Sequence, residues 1–482
     1  MRTLGLLLMV GWLLSCQPAP AQTNYFSPLH AAWSDFQEPA LQDRRFKHED
    51  IVPLLQGLGD LFTVEVEGQS VEGRDIYRVT AGSGSTTVLL WSQMHGDEPT
   101  ATAALFDIFR FLAASGDEFD PLRRTILNNL KIVVIPMLNP DGAERFQRRN
   151  ALGIDLNRDA VRLTSPEARL LKAVRDETDA DWGFNLHDQS RYYGAGYPTE
   201  NVATLSFLAP AYNFRGEVNS TRERAMQLIG QLNNGLQSLA PGRIARYSDA
   251  FEPRAFGDNI QKWGTSTILI ESGGNPDDRE KQEIRQLNFV SLLVAFHSIA
   301  TGGWQSFTRQ HYNRIPYNKY GHFNDLILRE VTVERNGGAF LLDISFNLNE
   351  RDHHGHREFY LSGGIVDVGD LTYQQGYEEV PPSGLRVEIA RPYPELFEDM
   401  DALRNLDLPA LLADGYAIFR IRRLGPAWTR DQLPILVTGV DSSYDQAIEP
   451  GSNPPLLLKD GTGTVRYVVI NGQLYDAATA SW

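Results

Sequence analysis

The stretch WSQMHGDEPTATAALFDIFRFL, residues 91–112, decides the first part of the fold. It continues the β-favouring run TTVLLW at 86–91 and leads into an apolar-periodic segment that predicts a helix over 99–114. His95 and Glu98 lie between these two elements. Taken alone, the pair reads as a polar turn, with Glu98 favourably placed at the positive end of a helix. Whether the pair has a chemical role depends on the residues that lie at the ends of the neighbouring strands.

The same alternation of strand and helix runs from about residue 50 to residue 303. Strands are predicted at 60–68, 74–82, 86–93, 130–138, 181–189 and 265–272. Helices are predicted at 99–114, 165–179, 220–239 and 277–300, with Ser165 as an N-cap. Strands separated by helices of this length imply βαβ units. We therefore expect an α/β fold, in which helices cover a mixed, mostly parallel sheet.

Beyond residue 303 the pattern changes to hairpins. Asn336-Gly337 and Asn471-Gly472 are pairs suited to tight β-turns, and Pro-rich breaks occur at 378–384 and 449–455. We expect residues 22–303 to form one domain. Residues 304–482 are predicted to form a β-rich accessory region of one or two domains, of no recognised family.

The first 21 residues are typical of an export signal. Arg2 precedes an apolar run at 4–14 that is too short to cross a bilayer. Two processing sites compete: LLSC resembles a lipobox that would place a lipid on Cys16, and the APA at 19–21 resembles an ordinary cleavage site after Ala21. The expected location is periplasmic or anchored to the outer membrane as a lipoprotein, and otherwise secreted.

Charge and cysteine content exclude several functions. The chain has 482 residues, 42% of them hydrophobic, and a formal net charge of −16, which argues against a nucleic-acid partner. Cys16 is the only cysteine, so neither a disulfide nor a cysteine nucleophile is available to the exported domains. The sequence leaves the oligomeric state open.

Two further strands end in residues with metal or acid–base chemistry. FNLHD ends a strand with His187, and ILIES ends another with Glu271. In open α/β sheets ligands bind beyond the carboxyl ends of the strands, so these segments can converge on one crevice. There His95, Glu98 and His187 would offer two nitrogens and a carboxylate to zinc, with a fourth position left for water.

Residues 50–303 resemble the M14 family of zinc carboxypeptidases. The matching segments occur in the family's order: GQSVEGRDI at 68–76, HGDE at 95–98, NPDG at 139–142, GIDLNR at 153–158, LH at 186–187 and IES at 270–272. The resemblance implies a zinc-carboxypeptidase-like fold with one Zn²⁺ per chain, and a peptide substrate with a free C-terminal carboxylate, including cell-wall peptides.

The resemblance also implies roles for individual residues. His95, Glu98 and His187 would bind zinc, and Glu271 would be the general base. The remaining residues implied are Arg148 for the oxyanion, and Asn157, Arg158 and Tyr247 for the substrate.

This chain departs from the digestive members of the family at two places. Those members carry an arginine where this chain has Asp97, and the sequence around Tyr247 does not match theirs. A slip of one residue in the alignment would exchange Arg148 and Arg149. These differences leave the metal chemistry intact and put the choice of substrate in question.

Other functions remain open at this stage. A zinc-dependent deacylase of N-acyl amino acids would use a similar site followed by a β-rich region. A non-catalytic surface-binding lipoprotein would use the accessory region on a degenerate scaffold. RDHHGHRE at 351–358 is a second candidate metal cluster, although it reads more easily as a solvated loop.

Overall fold

The computed structural model describes residues 24–481. The predicted export segment, with Cys16 and the alternative cleavage site after Ala21, lies outside the described residues. Within them, no helix combines the length and apolar character needed to cross a bilayer.

A central sheet organises the first part of the chain. Its strands and one outlying strand are β1 (Phe62–Gln69), β2 (Asp75–Ala81), β3 (Thr86–Ser92), β4 (Leu130–Ile135), β5 (Trp182–Asp188), β6 (Tyr193–Ala195), β7 (Leu205–Leu208), β8 (Ile244–Arg246) and β9 (Ser266–Ser272). All except β6 form one eight-stranded sheet in the order β1-β2-β4-β3-β5-β9-β7-β8. Strands β4, β3, β5 and β9 run parallel at its centre, while β2 and β7 join antiparallel. The mixed α/β sheet expected from the sequence is confirmed.

Helices cover both faces of this sheet. They are α1 (Phe26–Phe36), α2 (His48–Gln56), α3 (Thr100–Ala113), α4 (Asp120–Asn129), α5 (Pro140–Glu144), α6 (Pro166–Thr178), α7 (Ser220–Leu236), α8 (Phe256–Lys262), α9 (Gln282–Thr301) and α10 (Arg309–Asn313). One apolar cluster lies beneath α3, α7 and α9, and a second beneath α6 and α8. As predicted, Ser165 caps α6 by accepting a hydrogen bond from the Ala168 amide. The helices α1, α2, α4, α5, α8 and α10 were not predicted.

A second large sheet dominates the accessory region. Its strands are β11 (Phe323–Arg335), β12 (Gly338–His353), β13 (Glu358–Gly369), β14 (Gln375–Val380), β15 (Arg386–Ile389), β19 (Leu456–Lys459), β20 (Val465–Ile470) and β21 (Gln473–Asp476). The short strand β10 (Asn318–Tyr320) pairs instead with β6 of the first part. Both predicted asparagine–glycine turns are present, with positive φ at all four residues.

The accessory region also contains a small α/β unit that the hairpin pattern did not predict. Three parallel strands, β16 (Arg391–Phe397), β17 (Tyr416–Ile421) and β18 (Leu436–Gly439), form its sheet. Three short helices accompany them: α11 (Met400–Leu403), α12 (Leu408–Ala413) and α13 (Ala427–Arg430). This unit shares an apolar core with β19–β21, so it is integrated with the accessory sheet.

Residues 44–47, RRFK, join the two parts, and we call them the basic strap. Arg44 and Arg45 both pair with Glu350 of β12. The Arg45 guanidinium also lies between two aromatic rings, 3.9 Å from the centroid of Phe146 and 4.7 Å from that of Phe359. The accessory region is therefore packed directly against the segment that precedes Arg148.

Lys47 completes the strap. Its Nζ donates to the carbonyls of Ala143, Glu144 and His356 at 3.0–3.1 Å. Burial lowers the pKa of Lys47 to about 8. One side chain thus ties the end of α5 to the turn between β12 and β13.

Candidate metal centre and active site

The site lies at the carboxyl ends of three adjacent parallel strands. The loop after β3 carries His95 and Glu98, and β5 and β9 end beside it. In the β5–β9 register His187 is directly opposite Glu271. Two residues that are 84 positions apart in sequence therefore lie side by side, because parallel strands end at the same edge of the sheet.

Three buried side chains form a candidate metal-binding group. His95, Glu98 and His187 each offer one ligand atom, and these atoms lie within 4.8 Å of one another. The Nδ1 of His95 is 2.8 Å from Glu98 Oε1, and the Nδ1 of His187 is 2.6 Å from Glu98 Oε2. Both imidazoles thus present the same nitrogen to one carboxylate.

The charges in this group are strongly coupled. Burial alone would lower the pKa of His95, but the Glu98 and Asp155 carboxylates outweigh it and raise that pKa to about 9. Burial would raise the pKa of Glu98, but the two imidazoles hold it well below its usual range. For His187 burial prevails and lowers the pKa.

This donor set fits zinc. Two imidazole nitrogens and one carboxylate are the three protein ligands of a common catalytic zinc site, which leaves a further position for water. A cation would also compensate the buried Glu98 carboxylate and accept the imidazole lone pairs that converge on it. The group therefore suits one zinc ion, as the sequence predicted.

Asp155 is a residue of the site whose role the sequence reasoning missed. Its Oδ1 is 3.1 Å from His95 Nε2, the ring nitrogen that faces away from Glu98. Burial would raise the pKa of Asp155, but the hydrogen bond from His95 and the charges of His95 and Arg148 outweigh it and hold that pKa far below its usual range. A carboxylate at this position fixes the tautomer and orientation of a metal-binding histidine. The signal was present in GIDLNR, since ligand histidines commonly pair with such a carboxylate.

Arg148 points towards the metal-binding group. Its Nη1 is 3.3 Å from Glu98 Oε1, and its Nη2 pairs with Asp155 Oδ2 at 3.0 Å. The side chain is 42% exposed, so a substrate can reach it. Arg149 instead donates to the Gly153 carbonyl at 2.9 Å. Of the two neighbouring arginines, the geometry favours Arg148 for contact with substrate.

The predicted substrate-binding residues lie along one side of the metal-binding group. Arg158 lies 3.3 Å from Glu252 and is partly exposed. The Asn157 side chain is engaged at both ends, because its Oδ1 accepts from the Phe256 amide at 2.9 Å and its Nδ2 lies 3.4 Å from His187 Nε2. Asn157 therefore supports the wall of the site as well as facing it.

Tyr247 lies on the same side of the site, directly after β8. Burial raises its pKa, and the Glu271 charge raises it further. The phenol therefore stays protonated and able to donate a hydrogen bond.

Glu271 is buried beside the metal-binding group. Burial raises the pKa of its carboxyl well above the usual value, and the neighbouring Glu98 charge adds to this effect. Asp97 is half-buried there, and its buried Oδ1 has no hydrogen-bond partner among residues 24–481. A cation bound beside these carboxyl groups would offset their mutual repulsion and favour their ionised forms.

Residues 53–193 match the family model described as zinc carboxypeptidase, Peptidase_M14. That segment of the chain is therefore similar to zinc carboxypeptidase domains. The match includes the three metal-binding candidates and Arg148. Glu271 and Tyr247 lie outside the matched residues, and strands β9 and β8 bring them to the site.

Several relatives and solved structures are similar to this chain. Carboxypeptidase SOL1 of Arabidopsis thaliana is 38% identical over 163 residues, covering 30% of this chain and 33% of that protein. Carboxypeptidase D of Homo sapiens is 33% identical over 146 residues, covering 22% of this chain and 10% of that protein. A metallo-carboxypeptidase structure from Burkholderia cenocepacia aligns with a TM-score of 0.43 and 19% identity, over 54% of this chain and 70% of that one. The chain spans about a third or less of the length of these two curated relatives.

Proposed function

We propose that this protein is a zinc-dependent metallocarboxypeptidase that hydrolyses the C-terminal peptide bond of its substrate. The observation that carries the proposal is the register of β5 and β9, which sets Glu271 beside His187. A metal-binding group with an adjacent unligated carboxylate is the arrangement needed for hydrolysis by an activated water. His95, Glu98 and His187 would hold the zinc ion.

A bound zinc ion supplies polarisation of the scissile carbonyl and activation of water near neutral pH. Glu271 takes the proton of the attacking water on its carboxylate and later delivers it to the leaving amine. Arg148 donates to the carbonyl oxygen as negative charge develops there, an interaction strongest in the transition state. Asp155 keeps both Arg148 and His95 in position.

Arg158 and Tyr247 would recognise the end of the substrate. A guanidinium group matches a planar carboxylate. The partly exposed Arg158 can release Glu252 and bind the C-terminal carboxylate of the substrate instead. The protonated Tyr247 hydroxyl would donate a hydrogen bond to the same terminus. Recognition of a free carboxylate would make the enzyme an exopeptidase.

A cleft of about 840 Å³ would take the part of the peptide that precedes the scissile bond. It opens between the two parts of the chain and includes Gln189 and Gly273, each two residues beyond the catalytic pair. Asp325 and Tyr377 of the accessory region form its opposite wall. Its size suits an extended peptide or a cell-wall peptide better than a single acylated amino acid.

The test is the release of C-terminal residues from a peptide panel. Chelation should abolish release and added zinc should restore it. Glu271→Gln should lower kcat by at least about a hundredfold, since general base catalysis contributes that much or more, whereas Glu177→Gln at an exposed carboxylate should have no effect. Undiminished activity in Glu271→Gln would refute the mechanism.

The substrate panel separates the proposal from its main alternative. Peptides with a free C-terminus, their C-terminal amides and N-acyl amino acids should be compared. We expect turnover of the free peptides only. Faster hydrolysis of N-acyl amino acids would instead identify a deacylase.

We also propose that the protein is exported, supported by the apolar run and the two processing signals in residues 1–21. Mass spectrometry of the mature N-terminus distinguishes the two routes. A lipid-modified Cys16 would indicate membrane anchoring, and an unmodified Gln22 would indicate free release. A mature chain that retains Met1 would refute export.

A further inference from the structure

The turn between β12 and β13 brings together a second set of metal-binding side chains. His353 ends β12 and lies directly opposite Glu358, the first residue of β13. His354 follows with a positive φ of 49°, a conformation that non-glycine residues seldom adopt, and its ring centroid lies 4.6 Å from that of His353. One ligand atom from each of these three side chains lies within 4.8 Å of the others. We call this set the hairpin group.

The other charged side chains of the turn are already paired. Asp352 pairs with Arg45 at 2.5 Å and with His356 at 2.8 Å. Arg357 pairs with Glu49 and Asp50 of α2. These contacts attach the turn to α2 and the basic strap, and they do not involve the hairpin group.

The hairpin group, by contrast, lacks hydrogen bonds. The Nδ1 of His353 is buried without a partner, and in the described part of the chain no hydrogen bond engages the side chains of His354 or Glu358. The nearest approach is 3.6 Å, from His353 Nε2 to Glu358 Oε2, which is too long for a hydrogen bond. Two imidazoles and a carboxylate thus converge without satisfying one another.

The indole of Trp428 holds the group in place from the α/β unit. It stacks on His353 with ring centroids 5.3 Å apart and an interplanar angle of 9°. The His353 side chain is only 13% exposed, whereas that of Glu358 is 64% exposed. His353 is therefore a fixed ligand, and the exposed Glu358 and His354, whose ring packs edge-on against the same indole at 5.4 Å, can turn towards a shared ion.

We propose that the hairpin group is a second metal site, which binds one zinc ion through His353, His354 and Glu358. Imidazole nitrogen and carboxylate oxygen are ligands of borderline cations such as zinc. Zinc bonds to nitrogen and oxygen of about 2.0–2.2 Å place tetrahedral ligand atoms about 3.3 Å apart. Only a small rotation of the exposed His354 and Glu358 side chains is therefore required. Water completes the coordination on the exposed side.

Binding there would have a structural consequence. An ion shared by His353 and Glu358 closes the end of the hairpin that Lys47 and Arg357 fix to the first part of the chain. The hairpin group lies outside the proposed catalytic group, so its role is to stabilise the contact between the two parts of the protein.

The experiment is a calorimetric titration of the metal-free full-length protein with zinc chloride, with bound zinc counted by elemental analysis. Wild type should bind two equivalents. Both His354→Ala and Glu358→Gln should lose one equivalent, or weaken its binding at least about tenfold, because each removes a ligand. His187→Ala should lose the other equivalent, so each site can fail without the other.

His356→Ala is the matched control, since His356 lies in the same turn but pairs with Asp352. It should retain both equivalents. Because His354 and Glu358 are exposed, their replacement should leave the circular dichroism spectrum unchanged. The proposal is overturned if no equivalent remains in His187→Ala, or if His354→Ala and Glu358→Gln bind as much zinc as wild type. It is also overturned if His356→Ala alone loses an equivalent.

Discussion

Replacing Asp155 by asparagine should weaken the metal centre without touching a metal ligand. Asp155 Oδ1 accepts from His95 Nε2 at 3.1 Å, and Oδ2 accepts from Arg148 Nε at the same distance. An asparagine keeps one acceptor but loses the charge, and its amide group cannot accept from Arg148. The substitution should therefore release Arg148 and lower the basicity of His95.

The expected magnitude follows from these two contacts. Loss of the carboxylate behind a metal-binding histidine costs about 10- to 100-fold in metal affinity, or about 1.4–2.8 kcal/mol. Activity at saturating zinc should still fall at least about tenfold, because Arg148 loses a charge-assisted hydrogen bond worth about 1.5–3 kcal/mol. This residual defect separates the role of Asp155 towards Arg148 from its role towards His95.

The assay is competition for zinc against a chromogenic chelator, followed by kcat/KM at saturating zinc. Asp179→Asn is the control, because that side chain is 91% exposed and its carboxylate faces Arg175 of α6, not the metal-binding group. It should match wild type in both measurements. Zinc affinity of Asp155→Asn within twofold of wild type would refute the reasoning.

Two further predictions concern stability. Asp107→Asn should lower the free energy of unfolding by about 3–5 kcal/mol in urea denaturation, because it leaves the buried Arg285 guanidinium without its carboxylate; a loss below 1 kcal/mol would contradict this. Burial raises the pKa of Asp258 to about 7, so the folded state holds a proton that the unfolded state has released between about pH 4 and pH 7. Its contribution to wild-type stability should therefore fall as pH rises through that range, by about 4 kcal/mol at most. Asp258→Asn keeps the acceptor for the Glu252 amide and should remove this fall of the unfolding free energy with pH. Parallel stability–pH curves for the two proteins would show the reasoning to be wrong.

The sequence predicted the central sheet because its pattern is local. Apolar runs such as the one ending in His187 define strands, and Ser165 or the turn at Asn336-Gly337 defines an element boundary within a few residues. The active-site group was predictable for a related reason. Once the strands are parallel, the residues that follow them must share one edge of the sheet.

What the sequence did not predict depends on contacts between distant segments. The pairing of Asp155 with His95 joins residues 60 positions apart, and His353 is largely covered because the distant Trp428 stacks on it. The α/β unit within 391–439 has short strands flanked by short helices. Neither the alternation typical of a strand nor the periodicity typical of a helix therefore continues over enough residues to be recognised. The six helices among α1–α10 that were not predicted include α1 and α2, whose positions depend on tertiary packing.

The basic strap sets an order of events during synthesis. Arg44 leaves the ribosome early, but its partner Glu350 is 306 residues further along the chain. Until that hairpin has emerged, both arginines lack the Glu350 carboxylate and Lys47 lacks the His356 carbonyl. The segment leading to Arg148 would therefore gain its final support only after the hairpin of β12 and β13 has been synthesised.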